Sequence, residues 1–109
     1  MDRPELAIAA RRVAGEAVLT LTGEVDMSTV QRLADMVDEE LTEAPQRVVL
    51  DMAGVTFCDS QGLGTLVVLS RKATLAQSYL VLVNVGPFLL RVLEITGLRD
   101  ALMIQEAPV

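Results

Sequence analysis

The chain has 109 residues, with nine basic against fifteen acidic side chains, and a formal charge of −6. That length suits one domain, which buries roughly two-thirds of its unfolded surface without needing disulfides or metal. The acidic excess argues against nucleic acid and anionic membrane as partners, since both are held mainly through Lys and Arg. Apolar residues make up 51% of the chain but aromatic ones only 3%, so the core must be aliphatic. This composition fits an α/β sandwich better than a β-barrel, whose strands carry more aromatic residues.

At the N-terminus, Met1 to Pro4 is polar and lacks the apolar centre of a signal peptide. No apolar run reaches the roughly 18–20 residues of a membrane helix. A cytoplasmic location is therefore the expectation. Leu6 to Arg12 and Ala17 to Thr22 read as two strands of a hairpin joined at Ala14-Gly15-Glu16. Gly23-Glu24-Val25-Asp26 then leaves the strand. Ser28 followed by Gln31 has the spacing of a capping box. Val30, Leu33, Val37 and Leu41 recur at helical spacing, predicting a helix from Ser28 to Glu43 that stops before Pro45.

Arg47 to Met52 is a continuous apolar run of the kind buried on both faces in a parallel sheet. A brief extended piece, Val55 to Phe57, leads to a turn at Ser60. In Leu66-Val67-Val68-Leu69 the branched residues favour a strand. The segment continues through Ser70 to Ala76, however, too far for a strand, so a helix from Gly62 to Gln77 is expected. Tyr79 to Val83 reads as a strand. Pro87 suits the first position of a helix with Phe88, Leu89, Val92, Leu93 and Ile95 on its apolar face. Gly97 fits just past its end, and Leu98 is placed for the hydrophobic contact of such a cap. Leu102 to Ile104 reads as a last short strand or helical turn. Helices placed between non-adjacent strands imply an α/β sandwich with a mixed central sheet packed against helices, as a single domain over residues 1–109.

The most informative stretch is Cys58-Asp59-Ser60-Gln61-Gly62-Leu63-Gly64. A serine at a strand-to-helix turn lies where the first helical N–H groups lack partners and favour anions. Such a serine can be a nucleophile, a phosphate-binding group or an acceptor of a phosphoryl group. A hydrolase elbow reads Gly-x-Ser-x-Gly, and Cys58 stands where its first glycine belongs. The chain contains no histidine to act as the base of a Ser-His-Asp relay, and Lys72 lies about three helical turns beyond Ser60. No catalytic residue is expected. No metal site is expected either, since Asp26 and Asp59 alone are too few for Mg²⁺. No Gly-Lys-Ser or Gly-Lys-Thr follows the glycines, so no nucleotide cofactor is implied.

The plainer readings are specific too. Ser60 can serve simply as a helix N-cap, and Glu24 and Asp26 as turn residues. Cys58, the single cysteine, forms no intramolecular disulfide and reads as a small core hydrophobe. Gly62 and Gly64 cost helix stability, less so at the N-terminal turn, where they also clear space for a partner.

Asp59-Ser60-x-Gly62-Leu63-Gly64 resembles the signature of the STAS domain family, in its branch of anti-sigma factor antagonists. Three further stretches agree in order and spacing: Thr22-Gly23-Glu24-Val25-Asp26, Val48-Val49-Leu50-Asp51, and Val92-Leu93-Glu94-Ile95-Thr96-Gly97-Leu98. The resemblance implies a bacterial partner-switching cycle. The unphosphorylated antagonist binds an anti-sigma factor that is also a serine kinase and so frees a sigma factor for transcription. The kinase then inactivates the antagonist by phosphorylating the serine after the aspartate, here Ser60, and a serine phosphatase restores it. Partner contacts are expected from Gly23, Glu24, Asp26, Asp59, Gln61, Gly62, Leu63 and Gly64, with the two loops on one side of the sheet. Gln61 departs from the small residue usual at its position, which bears on which kinase is the cognate one. The alternatives are a STAS scaffold subunit of a transporter or lipid-trafficking complex, and an enzyme using Ser60 as nucleophile.

Overall fold

The computed structural model describes residues 5–105, so the reading of Met1 to Pro4 lies outside the described residues. Strands β1 (Leu6–Val13) and β2 (Glu16–Val25) form the expected hairpin, with Val13 paired to Glu16 across Ala14 and Gly15. Both loop residues have positive φ, 52° and 83°, the backbone twist that a two-residue hairpin turn demands. Helix α1 (Val30–Leu41) follows, then β3 (Arg47–Cys58), α2 (Ser60–Leu75), β4 (Leu80–Val83) and α3 (Pro87–Thr96). A short 3₁₀ turn (Leu98–Ala101) leads into β5 (Met103–Gln105), so the last apolar run resolves as a strand.

The strands stand in chain order, β1-β2-β3-β4-β5, with β1 antiparallel and the other pairings parallel. The sheet is mixed as expected, but its helices join strands that lie side by side rather than non-adjacent ones. The reason is that each crossover helix spans only to the next position in the sheet. Alternation then decides the core. Ala17, Leu19 and Leu21 of β2, Val48, Leu50 and Met52 of β3, and Leu80 and Leu82 of β4 point to one face. They pack there with Leu33 and Val37 of α1, Leu63, Leu66, Leu69 and Ala73 of α2, and Leu93 of α3 in one aliphatic cluster.

Three local expectations change. β2 does not end at Thr22 but runs on through Gly23, Glu24 and Val25, because β3 extends alongside to pair with it. β3 in turn is one strand, not two pieces. Its register against β2 shifts between Thr20 and Thr22 and again between Gly23 and Glu24, each time by an extra residue on β3. Such bulges kink and twist a strand without ending it. The capping box does not form either. Helix α1 starts from Thr29, while Ser28 bonds Asp26 and Gln31 bonds Asp35 at 2.9 Å. The C-terminal cap of α3 holds: Gly97 has φ 79° and Leu98 packs against the core.

Candidate functional site

The four parallel strands point the same way; β4 and β5 stop level with Asp51 of β3, while β2 and β3 run on together and end on a directly paired couple, Val25 with Cys58. The loop after β2 and the turn after β3 are therefore neighbours, at the sheet end where α/β proteins commonly bind ligands. The Asp59 N–H donates to the Val25 carbonyl at 3.2 Å, tying the second segment to the first.

Asp59, not Ser60, is the N-cap of α2: its Oδ1 accepts the Gly62 N–H at 2.8 Å and its carbonyl accepts the Leu63 N–H at 2.9 Å. Ser60 takes the first helical position, exposed, and its hydroxyl makes no hydrogen bond among the described residues. The helix accordingly begins two residues before the expected Gly62. Asp59 has a second attachment, since Oδ2 accepts the Met27 N–H at 3.2 Å across 32 residues of chain.

The loop from Glu24 to Thr29 is closed on itself. Asp26 Oδ1 accepts from both the Ser28 N–H (2.9 Å) and the Ser28 hydroxyl (2.8 Å), and the hydroxyl bond is the main cause holding the Asp26 carboxyl below its usual range. Thr29, 5% exposed, donates its hydroxyl to the Glu24 carbonyl at 2.8 Å and accepts the Asp26 N–H at 3.0 Å. Glu24, Asp26 and Asp59 are all part-exposed, and no Lys or Arg among the described residues forms an ion pair with any of them.

The remaining expected residues divide by exposure. Gln61 and Gly64 lie open on α2, and a Cβ on Gly64 would meet nothing within 4 Å. Gly62 and Leu63 are buried. A Cβ on Gly62 would run into the Val25 carbonyl and come within 2.8 Å of Cys58 Sγ, so this glycine lets the helix start against the strand ends. Gly23, with φ 121°, lies under the Glu5 carbonyl in the same close manner. Gly62 and Leu63, both buried, shape the surface from beneath. Burial, with smaller contributions from Asp59 and Asp26, pushes the Cys58 thiol up to about 11, so it stays protonated and poorly nucleophilic at neutral pH.

Sequence reasoning missed two features. Met27, 72% exposed, stands in the acidic loop itself, its N–H bonded to Asp59, the neighbour of Ser60. Its only signal is an apolar side chain in a polar loop. From Ser60 a groove of about 410 Å³ runs between α1 and α2, lined by Gln61, Gly64, Val68, Val30 and Ala34. Among the described residues there is no cluster of three His, Cys, Asp or Glu side chains able to hold a metal, and no helix long and apolar enough to cross a membrane.

Comparison with known proteins accords with this geometry. The STAS domain family profile matches residues 7–107. The anti-sigma-B factor antagonist of Listeria monocytogenes is 33% identical over 87 residues, covering 78% of this chain and 75% of that protein. The crystal structure of an anti-sigma factor antagonist from Mycobacterium paratuberculosis superposes with a TM-score of 0.80 at 25% identity, over 92% of this chain and 85% of that one. The Bacillus cell fate determinant SpoIIAA in its phosphorylated form shares the fold, with a TM-score of 0.72 at 20% identity over 94% and 92% of the two chains.

Proposed function

The chain belongs to the STAS domain family, and from that premise we propose that it is an anti-sigma factor antagonist, inactivated by phosphorylation of Ser60. It binds an anti-sigma factor that is also a serine kinase, frees a sigma factor in the cytoplasm, and is restored by a serine phosphatase. It performs no catalysis itself. The observation that carries the reading is the unpaired acidic rim of Glu24 and Asp26 beside an exposed serine hydroxyl at a helix N-terminus. Glu24, Asp26, Ser60, Gln61 and Gly64 make the contact surface, with Gly23, Asp59, Gly62 and Leu63 beneath and between them.

The switch follows from charge. A phosphoryl group adds about −1.5 to −2 units at neutral pH. The first-turn N–H groups of Ser60 and Gln61 stay free of protein partners among the described residues and offer local accommodation. A docked partner must instead bury or face the new charge beside Asp59, and nucleotide phosphates on a kinase add to the repulsion. A loss of about 2.7 kcal/mol already means a hundredfold in affinity.

The test is incubation with ATP and the serine-kinase anti-sigma factor encoded in the same genome, followed by mass spectrometry. Phosphate on Ser60, absent in Ser60→Ala, is the expected result. A wild-type chain that neither binds that kinase nor accepts phosphate refutes the reading and turns attention to permease-type partners.

A further inference from the structure

Asp59 occupies the centre of the site, yet both of its carboxylate oxygens are engaged with backbone. Oδ1 holds the Gly62 N–H of α2 at 2.8 Å, and Oδ2 holds the Met27 N–H of the β2–α1 loop at 3.2 Å. Its own N–H is taken by Val25 and its carbonyl by Leu63. A helix cap needs only the first of these side-chain bonds. The second spans 32 residues and has no role in capping. It is the side-chain bond that joins the loop carrying Asp26 and Met27 to the turn carrying Ser60.

We infer that Asp59 is a positioning residue, which fixes the acidic loop against the serine turn through the Met27 N–H instead of meeting the partner itself. The inference rests on the antagonist reading given above and assigns the aspartate of the serine motif a role within it. A partner that contacts both segments reads their spacing: the Val25–Cys58 pairing anchors their bases, and the Asp59 carboxylate fixes the loop tip at Met27. The bond is solvent-exposed at 3.2 Å, so losing it should free the loop locally while costing the whole fold little, because water can replace the acceptor.

Two substitutions separate the two bonds. Asp59→Asn keeps an acceptor for the Gly62 N–H but turns an amide donor toward Met27. Asp59→Ser keeps a good N-cap and is too short to reach Met27. In both, with the chain alone, amide hydrogen exchange followed by NMR should leave Gly62 protected and speed Met27 by about tenfold or more. Affinity for the serine-kinase anti-sigma factor should fall about tenfold, with little change in thermal midpoint. A loss of affinity with Met27 protection unchanged would make Asp59 a direct contact and overturn the inference. So would faster Met27 exchange with affinity retained. A wild-type chain with no affinity for the anti-sigma factor would refute the antagonist reading instead, and the exchange of Met27 and Gly62 would still decide whether the clamp exists.

Discussion

A Cβ on Gly62 would collide with the Val25 carbonyl, whereas one on Gly64, two residues on, would meet open solvent. The two glycines of one motif therefore answer to different constraints. Gly62→Ala is expected to destabilise the fold by about 1–3 kcal/mol through overpacking. Gly64→Ala should stabilise it by about 0.5–1 kcal/mol through helix propensity while weakening partner binding. Urea unfolding of both variants checks this, and equal effects would refute it. Cys58 offers a second test at this scale. Its thiol is raised above the ordinary 9.0 to about 11, mainly by burial. Below pH 9 the thiol is neutral in both states and its burial costs nothing in ionisation. As pH rises from about 9 to 11 the unfolded chain ionises while the folded one resists, so stability falls across that window. Wild type should lose stability relative to Cys58→Ala there, measured by denaturant titration at stepped pH. Parallel curves would show that the thiol is not shielded.

Thr29 shows how one element depends on a single side chain. Its hydroxyl bonds the Glu24 carbonyl and the Asp26 N–H, closing the acidic loop onto the start of α1. Thr29→Val keeps the shape but orphans both backbone groups, at an expected cost of about 1–3 kcal/mol. Thermal melting should register the loss, and NMR should show the Glu24–Ser28 amides broadened. A Thr29→Val protein as stable as wild type would mean water replaces the hydroxyl. Charge reversal on the same loop acts differently. Glu24→Lys or Asp26→Lys should leave circular dichroism unchanged and lower affinity for the anti-sigma factor at least tenfold. An affinity within twofold would place the partner elsewhere. The elements themselves were largely legible. Leu33 and Val37 sit at the helical spacing read for α1 and are buried in it, and the length of the segment through Ser70 to Ala76 marked α2 as a helix despite its branched residues. The β2 and β3 extensions were not, because Gly23-Glu24-Val25-Asp26 read as leaving the strand and Val55 to Phe57 as a separate piece. Only pairing between the two strands keeps those segments extended. The capping box failed for a related reason: the loop places Thr29 at the cap, and the Ser28 hydroxyl donates to Asp26 instead of accepting from the Gln31 N–H.

For the whole molecule, an exposed Ser60 outside the N-cap means that the proposed phosphorylation should leave the fold alone. Phosphorylation should change circular dichroism and melting temperature little, because the helix dipole favours the anion by roughly 0.3–1 kcal/mol and Asp59 opposes it. Affinity for the kinase should nevertheless fall at least tenfold, since docking removes the water that screens the new charge. Ser60→Asp should imitate this in part, and Ser60→Ala should bind and resist inactivation. A melting shift of many degrees with affinity preserved would show that the serine is structural after all. The aliphatic composition, the helical and strand periodicities and the serine motif were fixed locally, so sequence alone determined the class of fold and singled out Ser60. Local pattern carries no information on which strands lie side by side or how their registers slip. Tertiary structure decided that Val25 pairs with Cys58, that two bulges carry β3 to that pairing, and that Asp59 gives its cap to α2 while its second oxygen reaches Met27. The Val25–Cys58 pairing and the Asp59–Met27 bond join residues more than 30 positions apart, and they form only once burial of the shared core has brought the strand ends together.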